Sequence, residues 1–175
     1  KGSALNSGYL WKTKASHVFR ARPDGTGLEP VMTGGMDNPV DITFLPNGEF
    51  IVSNTFLVHP GSGKAGERDG LIHGIYGATF GKQHGVLDGH PRTGELMPIL
   101  SHMGAAAPCG LTRYENDVFG AEYRDNLFCC QFNKHKVSRH ILKPSGATYE
   151  SADSDFVVSS NIDRKSTRLN SSHIP

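Results

Sequence analysis

Apolar and polar positions along the chain fall into short runs, some alternating and some continuously apolar, divided by Gly, Pro, Asn and Asp. The segments PVDITF (39–44), EFIVSNT (49–55), PCGLTR (108–113) and NLFCCQF (126–132) are of this kind. They predict strands, whose successive side chains point to opposite faces. Asn47-Gly48 between two such runs predicts a tight hairpin with positive φ at both central residues.

The runs recur. Fourteen residues separate Gly25 from Pro39, and the same fourteen separate Gly94 from Pro108; four further residues lead to Thr43 and Thr112. Three hairpin-like segments each begin with His (His17, His84, His135) and turn at Gly (Gly25, Gly94, Gly146). The repeating unit is four antiparallel strands, which predicts an all-β fold built from β-propeller blades. A β-sandwich whose hairpins happen to look alike is the alternative. The expected blades are one ending near residue 35, one at 38–101 and one at 108–160, about two and a half in all. Twenty-one Gly and ten Pro fit many short strands joined by turns.

Residues 163–175, DRKSTRLNSSHIP, read as the in-frame translation of a sequencing adapter, so the expected native segment is 1–162, a partial propeller truncated at both ends. Setting aside their three basic residues and one acid turns a formal net charge of +1 into about −1. That balance offers no footprint for nucleic acid. No apolar run reaches the roughly 20 residues of a membrane helix. Cys109, Cys129 and Cys130 fit neither a zinc pattern nor a disulfide framework, and read as small buried apolar residues.

In a four-stranded blade, the loop after the second strand and the link to the next blade share one rim. That rim should collect 34–38, a long insertion at 56–83, 101–107 and 131–134; tight turns around Asn47, Thr93 and Ser145 should occupy the other. Long irregular loops over a rigid scaffold are where binding groups gather. The insertion holds His59, Arg68, Asp69, His73, Tyr76 and Lys82, and its residues 70–76 offer a further strand. His59, His73 and His102 are expected to converge there with Asp37, Arg68 and Asp69. Imidazole suits a general base, and backbone carbonyls of the His59-Pro60-Gly61 turn suit a hard cation. There is no Ser-His-Asp spacing, P-loop or dinucleotide fingerprint.

The segments GGMDNPVDITFLPNGEFIVSNTF, HPG and RDGLIHGIYGATFG resemble the central blades of the soluble glucose and sorbosone dehydrogenase superfamily. The whole of 3–162, including DGHPRTGELMP, APCGLTRYENDVFGAEYRDNLF and KVSRH, resembles a bacterial membrane-bound dehydrogenase family within it. The resemblance implies a six-bladed propeller that uses pyrroloquinoline quinone (PQQ) and calcium to oxidise a sugar or other alcohol. It also implies a location outside the cytoplasm, such as the periplasm, and a c-type cytochrome domain elsewhere in the full-length chain. The family's Arg-Asn-Pro triplet, whose first two residues face the quinone, is matched by Asp37-Asn38-Pro39, with a carboxylate in place of the guanidinium. Asn38, Asp37 and Arg68 are the implied cofactor-binding residues. The carbonyls of His59, Pro60 and Gly61 are the implied calcium ligands, and His73 and His102 the candidate catalytic residues. The missing arginine favours the alternative of a non-catalytic propeller that binds a glycan or protein partner.

Overall fold

The computed structural model describes residues 3–4, 10–11, 16–36, 38–55, 68–81, 94 and 97–160. The strands run β1 (Ser3–Ala4), β2 (Leu10–Trp11), β3 (Ser16–Arg20), β4 (Glu29–Gly35), β5 (Asn38–Phe44), β6 (Phe50–Thr55) and β7 (Asp69–Gly74). They continue as β8 (Thr79–Gly81), β9 (Ser101–Gly104), β10 (Pro108–Arg113), β11 (Leu127–Gln131), β12 (Lys136–Ser145) and β13 (Thr148–Val158). Two complete four-stranded antiparallel sheets result, β5-β6-β7-β9 and β10-β11-β12-β13. They are the second and third blades of an arc of β-propeller. The first sheet, β3-β4-β8, includes β8 running parallel to β4.

Local chemistry explains the turns. Arg22-Pro23-Asp24-Gly25-Thr26 and Leu45-Pro46-Asn47-Gly48-Glu49 close with the same bonds. The glycine N–H donates to the first carbonyl (2.8 and 2.9 Å), and the first N–H donates to the last carbonyl (2.8 and 2.7 Å). Only the glycines have positive φ, 81° and 87°. The expected pair of positive φ angles at Asn47-Gly48 is therefore corrected: proline at the second position presets a type I turn, and glycine supplies the left-handed residue after it. The Asp24 and Asn47 side-chain oxygens accept the N–H two residues on.

The repeat extends to a β-bulge. Pro39 pairs with Asn54 and Asp41 with Ser53; Pro108 pairs with Gln131 and Gly110 with Cys130. Val40 and Cys109 are thus equivalent extra residues at the start of equivalent strands. These strands lie side by side: Asp41 Oδ2 accepts the Leu111 N–H at 2.9 Å, and Thr43 Oγ1 accepts the Arg113 N–H at 3.1 Å.

Blades stack through two apolar layers. Met32, Met36, Val52, Ile72 and Phe80 fill the layer between the first and second sheets. Ile51, Leu71, Met103, Ala106, Leu111, Leu127 and Cys129 fill the layer between the second and third. Alternation along β11 turns Phe128 to the far side of the third sheet. There it meets Phe156 at 4.8 Å between ring centroids and Tyr114 at 6.3 Å.

The hairpins at 16–35 and 136–158 form where the sequence places them. The second blade does not follow the expected pattern, because its third strand is β7, inside the stretch read as an insertion, and its fourth is β9, read as a loop. Most of the hairpin expected at 84–100 lies outside the described residues. No helix among the described residues is long and apolar enough to cross a membrane.

Candidate functional site

Strand pairing sorts the residues by rim. Asn38 pairs with Thr55, Thr55 with Asp69, and Asp69 with Gly104, so these four strand ends share one rim. Phe44, Phe50 and Gly74 lie at the other. Asn38 stands exposed at the start of the innermost strand, as expected. Arg68 is exposed at the same rim two strands away, just before β7, with Nε 3.8 Å from Asp69 Oδ1.

Asp69 is fully buried, and its Oδ2 accepts the N–H groups of Ala106 and Ala107 at 2.7 Å each. The carbonyls of the same two residues accept the N–H groups of Asn133 (2.9 Å) and Phe132 (3.1 Å). The crossover from second to third blade is thereby clamped from both sides. Ala107 holds a positive φ of 47° within it.

The rim also concentrates unpaired polarity. Of six buried side-chain atoms among the described residues with no hydrogen-bond partner, five lie at its strand ends: Ser53 Oγ, Asn54 Nδ2 and Oδ1, Asp69 Oδ1 and Gln131 Oε1. Buried polar groups are ordinarily satisfied, so these atoms single out this rim as the candidate site. By alternation with Val52 and Ile51, Asn54 faces the first blade, while Ser53 faces the third. Pairing makes Asn54 and Gln131 equivalent, each opposite the proline that opens its blade. A concavity of about 440 Å³ borders this end, between Phe19 on one side and Pro39, Val40 and Ile42 on the other.

One histidine falls elsewhere than expected. His73 pairs with Ile51 and sits at the turn rim, not the Asn38 rim. Its Nδ1 is 3.0 Å from Thr148 Oγ1, its Nε2 is 3.6 Å from Glu49 Oε2, and its ring meets Tyr149 edge-on at 5.0 Å. Burial holds its pKa below the ordinary histidine value, Glu49 offsetting this in part. The reason is the early start of the third strand, since β7 carries His73 away from the rim at which it begins. His102, paired with Gly70, keeps to the Asn38 rim but is exposed on β9, the outermost strand. Three strand spacings, roughly 14 Å, separate that strand from β5. Neither imidazole joins Asn38 over the channel. Asp37, His59, Pro60 and Gly61 lie outside the described residues, as do Thr93 and 161–175. Among the described residues, no three His, Cys, Asp or Glu side chains form a group able to hold a metal ion.

One arrangement escaped sequence reasoning. Ser138 Oγ lies 2.7 Å from His140 Nε2, and His140 Nδ1 lies 2.7 Å from Asp153 Oδ1. This is a Ser-His-Asp relay in atomic order. Its signal was Ser-x-His on one strand of a hairpin whose register around Gly146 pairs His140 with Asp153. Ser138 and His140 are only 3 % and 1 % exposed, and the Ser138 hydroxyl is also engaged by Gln131 Nε2 and the Cys129 carbonyl. With Ser101 of the second blade donating to Asp153, the relay is an interblade fastening. Burial pushes the Asp153 carboxyl up, but His140 and the serine hydroxyls outweigh it and hold the group below the ordinary range.

No known protein family and no curated protein matches the chain. Two solved structures share its fold. An oxidoreductase of Thermus thermophilus, assigned as a glucose dehydrogenase, is 17% identical with a TM-score of 0.52, over 79% of this chain and 37% of that one. The PQQ-bound aldose sugar dehydrogenase of Streptomyces coelicolor is 13% identical with a TM-score of 0.54, over 80% and 38%. The chain thus spans under two-fifths of either, and what it shares with these dehydrogenases is the architecture of their blades.

Proposed function

We propose that the chain is part of a quinoprotein-like dehydrogenase, located outside the cytoplasm, that oxidises a sugar or other alcohol and passes the electrons to a cytochrome domain. The observation that carries this reading is the position of Asn38, exposed on the innermost strand at the rim where unpaired buried polar atoms gather. The fold shared with two sugar dehydrogenases supports it.

The donor chemistry of the described residues fits an anionic, carbonyl-bearing group. The Asn38 amide would donate to a ring oxygen, and the Arg68 guanidinium would pair with a carboxylate. The clamped crossover at 106–107 would help hold the rim in place when such a group binds. PQQ, when bound, supplies a two-electron acceptor, and calcium at the carbonyls of His59, Pro60 and Gly61 would polarise its oxygens. Neither His73 nor His102 is assigned the base.

The test is calorimetric titration of the whole protein with PQQ and calcium, alongside alcohol-dependent dye reduction. Asn38→Ala should weaken PQQ binding and lower dye reduction at least about tenfold, the equivalent of roughly 1.4 kcal/mol. A folded protein that binds neither PQQ nor calcium but retains a glycan or protein partner would establish the binding-module reading instead.

A further inference from the structure

The bulge in β10 brings two thiols together. Cys109 is the extra residue, and with Gly110 it faces the single residue Cys130 across the ladder. Its Sγ lies 3.6 Å from the Cys130 carbonyl oxygen. A Cβ placed on Gly110 would stand 3.9 Å from Cys130 Sγ, so the Cys130 thiol lies on the face of the ladder that Gly110 leaves without a side chain. Cys129 points the other way, into the apolar layer shared with the second blade. All three cysteines are free thiols.

We propose that Cys109 and Cys130 form a cross-strand disulfide when the chain meets a disulfide oxidant, a covalent staple between the first two strands of the third blade. Cys109 adjoins the rung at which Gly110 stands directly opposite Cys130, and its Sγ already reaches the Cys130 backbone, which places the two cysteines at one step of the ladder. The partly exposed Cys109 reacts first: its thiolate attacks the oxidant disulfide, forming a mixed disulfide and releasing one thiol of the oxidant. The Cys130 thiolate then attacks Cys109 Sγ and releases the second. Two protons leave the cysteines, and two electrons reduce the oxidant disulfide to its two thiols. The neighbouring thiol and burial hold Cys109 above the ordinary thiol range, so exchange accelerates as pH rises. The second blade has the same bulge with Val40 and Ser53 at the equivalent positions and cannot form the staple.

The experiment incubates the reduced chain with oxidised glutathione under native conditions, alkylates the remaining thiols and maps the tryptic peptides. Cleavage after Arg113, Arg124 and Lys134 separates Cys109 from the peptide carrying Cys129 and Cys130. The expected product joins these two peptides, lighter by two hydrogens, in both the native chain and Cys129→Ala, and is absent in Cys130→Ser. Alkylation of all three thiols, glutathione arrested on Cys109, a link through Cys129 or a link between two chains would each overturn the proposal.

Discussion

His73 Nδ1 lies 3.0 Å from the hydroxyl of Thr148, 75 residues later in the chain and in the neighbouring blade. Burial disfavours the imidazolium here, so the folded pKa is below that of the unfolded chain, about 6.5. The unfolded state takes up the proton first as pH falls. Stability from this group is therefore complete above about pH 6.5 and is lost as pH drops through the lower folded value. Urea midpoints measured from pH 7.5 to 5 should decline, and His73→Gln should flatten that decline.

Asp69 should be a keystone of the second-to-third crossover. Asp69→Ala leaves the N–H groups of Ala106 and Ala107 without their acceptor, which should cost about 2–4 kcal/mol. Asp69→Asn keeps one acceptor oxygen and should lose less. Chemical denaturation of the two variants gives the comparison, and equal losses would mean the carboxylate does not act through these bonds.

Gly70 has no room for a side chain: a Cβ would lie 2.1 Å from the Ser101 carbonyl oxygen. Gly70→Ala should push β9 from β7 and destabilise by about 1–3 kcal/mol or more. Hydrogen exchange should show protection falling first at residues 101–104.

The buried Ser138-His140-Asp153 relay should fasten, not hydrolyse. Ser138→Ala should leave ester hydrolysis at the buffer background, while Asp153→Ala should destabilise by about 1–3 kcal/mol through loss of its bonds to His140 and Ser101. Activated-ester assays and thermal melts of the same preparations check both halves.

Much of the architecture was legible because it is written in backbone chemistry. Pro-Asx-Gly presets a turn whatever surrounds it, and the equal spacing from Gly25 to Pro39 and Gly94 to Pro108 exposed the repeat. The third strand of the second blade was harder. In Asp69–Gly74 the residues are Asp, Gly, Leu, Ile, His and Gly, all buried, so the alternation that marks a half-buried strand is missing. That one shift moved His73 to the opposite rim. The rim of Asn38 and Arg68 followed from topology alone, whereas the relay at His140 depended on a hairpin register that composition does not encode.

The parallel pairing of β8 with β4 has a consequence for how the blades can be divided. Thr79, Phe80 and Gly81 follow the third strand of the second sheet, yet they hydrogen-bond beside Thr33, Gly34 and Gly35 of the first. Phe80 is fully buried between the two, and Gly34 would place a Cβ 2.1 Å from its carbonyl oxygen. Sequence blocks and structural blades are therefore out of step. Exchanging or excising the second block would pull an edge strand from the first, so modules for transplantation must be cut by sheet membership, with 79–81 travelling with the blade they complete.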